Sequence, residues 1–119
     1  MLVNEKYYYM YITTNYTKTV LYTGITNNLQ QRIIEHYINR NNEKTFTGKY
    51  KVFYLLYYEP YKYVNDAIAR EKEIKGWRRE KKINLIQSTN KNMQFLNKDI
   101  FDNWPPLEEA YHRKEAWEQ

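Results

Sequence analysis

Residues 7–24 read YYYMYITTNYTKTVLYTG, and the spacing of two β-type runs within them decides the fold. Residues 7–13 are dense in tyrosine, with Met10 and Ile12 between, a composition that suits a strand buried on both faces or nearly so. Residues 14–19 are polar and short. Residues 20–22 resume the β-type composition and stop at Gly24. The pair predicts a hairpin with a loop longer than the tightest turns, and therefore antiparallel strands.

Downstream, Thr26, Asn27 and Asn28 offer N-cap side chains to a helix over residues 29–39, with Leu29, Ile33, Ile34 and Tyr37 along one side. Residues 39–49 are polar and read as a flexible connection. Residues 50–59 (YKVFYLLYYE) read as a third strand, ended by Pro60. Asn65 and Asp66 cap a second helix that carries Val64, Ala67, Ile68 and Ile74 toward the core until Gly76 interrupts it. Residues 77–87 form a third, basic helix. After Ser88 the chain turns to Asn, Lys and Asp, and Trp104-Pro105-Pro106 precedes a short amphipathic stretch, residues 107–117. The expected architecture is α/β (α+β), a small three-stranded antiparallel sheet flanked by helices in the order β-β-α-β-α-α. Residues 1–88 make one domain and residues 89–119 a C-terminal extension with a short amphipathic helix.

A chain of 119 residues fits one domain. Its 14 tyrosines give much of the apolar area a hydroxyl, so buried rings need polar partners or a cleft to face. The net charge is +5, and seven basic against three acidic residues between Arg70 and Lys82 supply +4 of it. The excess is a local patch that suits a polyanion. The absence of cysteine excludes disulfides, thiol catalysis and cysteine-based zinc sites. No apolar run approaches the roughly 20 residues of a membrane span, and the N-terminus lacks an apolar signal core. These features predict a soluble, cytoplasmic protein with no membrane partner.

Glu71 is the most informative single residue. At about 100° per residue it falls in the middle of the apolar stripe made by Ala67, Ile68 and Ile74, where a leucine would be expected. Ionised and unpaired there it would cost several kcal/mol, so it must be neutralised, paired with a cation, or bound to a metal at the mouth of a cleft. Arg32 and His36 lie four apart on the first helix and flank its apolar stripe, so they can border a cleft or form a solvated face. Tyr11 and Tyr22 sit on neighbouring strands. Either ring can simply pack, and either hydroxyl can serve as a general base or orient water if a cation lowers its pKa from about 10.

Tyr9-Met10-Tyr11, then Tyr22-Thr23-Gly24, then Arg32 and His36 in NLQQRIIEH, then Arg70-Glu71 in AIAREKEIKGW form an ordered set. It resembles the GIY-YIG nuclease superfamily, and looks closest to small stand-alone bacterial proteins related to the N-terminal domain of the excinuclease C protein. The resemblance covers roughly residues 6–88. It implies that Tyr11 and Tyr22 surround the scissile phosphate, one of them or a water it orients acting as base. Arg32 would stabilise charge on the phosphate, His36 would assist proton transfer or positioning, and Glu71 would hold one metal ion, Mg²⁺ or Mn²⁺. That set serves phosphodiester hydrolysis: a metal to offset developing charge, a cation on the equatorial oxygens and a base near the attacking water. Tyr9, Met10 and Thr23 depart from the motif's Gly, Ile and Ile, whereas both tyrosines and Gly24 match. Asn84, thirteen after Glu71, is a candidate for an asparagine that many members carry.

The basic run Lys75, Trp77, Arg78, Arg79, Lys81 and Lys82 alternates cations with one indole and suits nucleic-acid contact, the alternatives being a solvated face and a core tryptophan. The resulting expectation is a metal-dependent endonuclease acting on DNA in repair, recombination or processing of structured DNA, with RNA open as substrate and a protein partner able to supply specificity. The rivals are a non-catalytic nucleic-acid-binding accessory module with the same fold and a sheet-based RNA binder that uses tyrosines as stacking platforms.

Overall fold

The computed structural model describes residues 6–107. The amphipathic stretch expected over residues 107–117 lies outside them, apart from Leu107. Strands β1 (Tyr8–Thr14) and β2 (Leu21–Thr26) pair antiparallel, with Tyr11 opposite Gly24. Asn15 closes their loop: its Oδ1 accepts from the backbone N–H of Thr19 at 2.9 Å and of Val20 at 3.1 Å. Strand β3 (Tyr54–Tyr61) pairs antiparallel with the other side of β1, so the order is β2-β1-β3. The three-stranded antiparallel sheet with helices is therefore the one the sequence implied. Three strand limits differ from expectation, the first being the start of β3, which falls at Tyr54 and not at residue 50 because Tyr50 ends a helical turn and Lys51 takes a positive φ of 55°. β2 runs through Gly24 to Thr26, because Gly24 fills a pairing position across from a large ring instead of making a turn. β3 includes Pro60, which is tolerated because β3 is an edge strand and a missing N–H on its outer side breaks no ladder bond.

Helix α1 (Leu29–Ile38) starts at Asn28, whose side-chain oxygen accepts from Gln31 N at 3.1 Å. The connection expected to be featureless contains a single-turn helix, α2 (Phe46–Lys49), capped by Thr45 Oγ1, which accepts from Gly48 N at 3.1 Å. Helix α3 (Val64–Lys75) has Tyr63 at its N-cap with no side-chain bond. Asn65 and Asp66 lie inside its first turn, where the Asp66 carboxylate favours the positive end of the helix dipole without capping it. Helix α4 (Arg79–Gln87) follows, then a single turn, α5 (Asn97–Ile100).

The sheet separates two apolar layers. One face packs Tyr11 and Leu55 against Leu29 and Ile33 of α1, with Leu96, Ile100, Phe101 and Trp104 closing over it. The other packs Met10, Ile12, Leu56 and Tyr57 against Ile74 of α3 and Ile86 of α4. Residues beyond Ser88 dock on β3 through two buried asparagines. Asn97 Oδ1 accepts from Leu55 N at 2.8 Å while its Nδ2 donates to Phe53 O at 3.0 Å, and Asn90 Nδ2 donates to Leu56 O at 3.0 Å. Asn97→Ala leaves a buried N–H and a buried carbonyl without partners, and is expected to cost about 2 kcal/mol. Urea denaturation of the variant checks it; an unchanged midpoint would show that water replaces the amide.

Candidate active site

Tyr11 and Tyr22 extend from paired strands toward α1, where His36 meets them. Tyr11 Oη and His36 Nε2 share a hydrogen bond of 2.8 Å. The Tyr22 ring lies 6.2 Å from Tyr11 and 5.7 Å edge-on to His36. Tyr11 is fully buried and His36 nearly so, whereas Tyr22 keeps part of its side chain in solvent. Burial, with Tyr22 adding to it, pushes the Tyr11 phenol well above its usual range, although Arg32 pulls it down. Burial, aided by Arg32, holds the His36 imidazole down at about 4. The pair is thus a neutral phenol on a neutral imidazole at pH 7, and it positions the rings around Tyr22.

Arg32, one turn before His36, stays 40% exposed in its side chain and pairs with Glu35 at 3.2 Å. Burial works against its charge, but interaction with Tyr11 and the pair with Glu35 outweigh it and hold the guanidinium above its ordinary value. Arg32 is therefore a cation paired with Glu35 and partly open to solvent.

Gly24 explains how the rings fit. A Cβ there would stand 2.6 Å from Tyr11 Oη and 2.7 Å from its Cζ, with Tyr22 Cε2 at 2.9 Å. Tyr11 is locked between β1 and His36 and cannot yield cheaply. Gly24→Ala is expected to cost about 1–3 kcal/mol and to disturb the Tyr11–His36 bond, read as a lower thermal midpoint. A variant as stable as wild type would show that the ring has somewhere to go.

Glu71 occupies the sheet-facing stripe of α3 between the fully buried Ala67 and Ile74, as the helical count required, yet its side chain remains 17% exposed. Its partner is Lys75 Nζ at 3.5 Å, longer than the roughly 2.8 Å of a strong charge-assisted bond. The preceding residue is engaged very differently. Arg70 grips Glu59 of β3 through Nε at 2.9 Å and Nη2 at 3.1 Å, and Tyr57 and Tyr61 donate to the same carboxylate at 2.5 and 2.6 Å. This clamp, extended by Arg70 to Glu73 at 2.8 Å, ties α3 to the sheet one residue from Glu71. Sequence reasoning assigned no role to Glu59; a lone acid at the end of a tyrosine-rich strand gives no periodic signal.

The structure distributes the basic run over several tasks. Arg79 donates to the carbonyls of Thr19 at 3.0 Å and Lys18 at 2.7 Å, pinning α4 to the β1–β2 loop. Trp77 packs against the core, with Lys81 at 4.2 Å and Arg70 at 5.2 Å from its ring centroid. Asn84 is exposed and lines a groove with Trp77, Arg78, Glu80 and Lys81, while Lys82 is half-buried.

A family model described as the GIY-YIG catalytic domain matches residues 7–84, the span that contains every element of this site up to Asn84. The chain belongs to the GIY-YIG family. Curated relatives agree with that placement: UPF0213 proteins of Staphylococcus aureus strains Mu3, Mu50 and N315 are each 36% identical over 67 residues, 56% of this chain and 79% of theirs. No solved structure gives a significant match. The family is one of nucleases, so the domain is a nuclease-type catalytic domain. Among the described residues no helix is long and apolar enough to cross a membrane.

Among the described residues no three His, Cys, Asp or Glu side chains gather into a metal cage. A largely shielded carboxylate with a loose lysine partner nonetheless suits a hard cation such as Mg²⁺, which commonly keeps one or two protein carboxylates and completes its shell with water and substrate phosphate.

Proposed function

We propose that the protein is a divalent-metal-dependent endonuclease that hydrolyses phosphodiester bonds in DNA, acting in the cytoplasm on structured DNA in repair or recombination. The observation that carries this reading is Glu71: a carboxylate on the sheet-facing stripe of a helix whose ion-pair partner among the described residues is a lysine at 3.5 Å. Glu71 would hold the ion, which when bound offsets negative charge developing on the phosphate and leaving oxygens. Arg32, anchored at one end and open at the other, takes the equatorial phosphate oxygens. Of the two tyrosines, Tyr22 reaches solvent and is assigned to orient the attacking water, while Tyr11 stays a phenol and, with His36, fixes the Tyr22 ring. Exposed Lys75, Arg78 and Lys81 supply phosphate contacts outside the site.

The test is cleavage of supercoiled plasmid and of branched and flap DNA with Mg²⁺ or Mn²⁺, comparing wild type, Glu71→Ala and Arg32→Ala, with EDTA as control. Metal-dependent cutting lost in both variants supports the assignment. Binding without cleavage by all three proteins would replace it with a non-catalytic accessory module.

A further inference from the structure

The stretch RNNEKTFTGKYK, residues 40–51, holds four cations, Arg40, Lys44, Lys49 and Lys51, against the single acid Glu43. The turn of helix in its middle presents two rings to solvent, Phe46 at 49% and Tyr50 at 40% exposure. Large exposed rings placed side by side on a small domain mark a contact surface more often than a packing accident. They also connect to the site. Phe46 lies 6.0 Å from Tyr22 and 4.7 Å from Tyr50, ring centre to ring centre. Tyr50 then lines an open pocket together with Tyr16, Tyr54, Arg40 and Lys51, and Tyr16 is 73% exposed. The rings are preorganised: Thr45 caps the turn, and Lys51 Nζ donates to Arg40 O at 2.9 Å across the base of the loop.

We propose that Phe46, Tyr50 and the Tyr16–Tyr54 pocket form a stacking track for an unpaired stretch of DNA leading away from the phosphate at Tyr22. This deepens the nuclease reading and rests on it for the location of that phosphate. Bases of any kind offer a flat face to such rings, and the exposed Lys44 and Lys49 between them meet the backbone phosphates. A protein partner would find this surface too rich in one sign of charge, whereas a polyanion with apolar faces matches both features. The track makes the preferred substrate DNA with unpaired nucleotides beside the cut, namely flaps, overhangs and branch points.

The experiment measures binding of a fluorescent oligothymidylate and of a fully paired hairpin of similar length to the full chain in EDTA, so that no cleavage is required. Wild type is compared with Phe46→Leu, Tyr50→Leu and Phe46→Trp. Each leucine variant is expected to bind the single strand about tenfold more weakly, equivalent to about 1.4 kcal/mol, with hairpin binding within twofold of wild type. Phe46→Trp keeps a ring and is expected to bind like wild type. Tyr50→Leu keeps the test decisive if Phe46→Leu disturbs Tyr22. Equal single-strand affinity for wild type and both leucine variants would overturn the track. So would weak binding by Phe46→Trp. Because binding is read without metal, failure of the nuclease reading would appear as absent cleavage in a separate assay and leave this result to stand or fall alone.

Discussion

Glu71→Gln is expected to lower metal-supported DNA cleavage about a hundred- to a thousandfold while leaving the fold as stable as wild type or slightly more so. Glutamine keeps the size of the side chain and removes only the charge. In the folded domain that charge has little to lose structurally: its partner is a half-exposed lysine at 3.5 Å, and pairs of that kind contribute little. What disappears is the proposed anionic ligand, whose place an amide oxygen fills poorly for Mg²⁺. A residue kept for stability would behave in the opposite way, with cleavage per folded molecule preserved and the melting temperature lowered. The neighbouring clamp provides the contrast. Arg70→Met strands the Glu59 carboxylate among two tyrosines and is expected to lower stability, because it breaks the pair that ties α3 to the sheet.

Stability should also fall as the pH drops from 7 toward 4, through His36. In the unfolded chain the imidazole binds a proton near pH 6.5, whereas burial and Arg32 hold the folded ring down at about 4. Between those values the unfolded state carries more protons, so the free energy of unfolding declines as the pH falls. The contribution is fully present above pH 6.5, and about 3 kcal/mol of it is gone near pH 4. Tyr11, Tyr22 and Arg32 face the ring, and only Arg32 is charged in this range, opposing a second positive charge. The carboxylate of Glu59 titrates below its ordinary value, so its loss comes at lower pH and does not mimic the effect. Urea denaturation at pH 7, 5.5 and 4.5 reads the slope, with His36→Gln as a control that separates it from His112. A wild-type midpoint flat across that range would mean that the folded imidazole accepts its proton freely.

The parts of this domain that were legible in the sequence are those governed by local periodicity. The tyrosine-rich run of β1, the Asn28 cap, the stripe of α3 and the misplaced carboxylate within it all follow from neighbours a few residues away. The missing parts depend on partners distant in sequence. Nothing near Gly24 shows that a ring from the facing strand will occupy the space of its Cβ, so a strand residue read as a stop. Thr45 caps a helix too short for any period to reveal, and the lone Phe46 in a polar run looked like loop. Asn90 and Asn97 bond β3 backbone 34 and 42 residues away, which is why residues beyond Ser88 gave no sign of where they would dock. At the candidate site, residue types and order are readable in the sequence, but which of these groups touch one another is not. Both tyrosines looked equivalent until burial placed one behind His36 and left the other at the surface.

The most direct measurement is single-turnover cleavage of a labelled flap DNA across a Mg²⁺ titration, run side by side for wild type and Glu71→Gln. Wild type is expected to cut at a rate that rises with Mg²⁺ to a plateau and vanishes in EDTA, with glutamine lowering the plateau at least about a hundredfold at unchanged DNA affinity. Glutamine-substituted protein that cuts at the wild-type rate, or wild type that cuts equally well in EDTA, would contradict the assignment of Glu71 as the metal ligand of a nuclease.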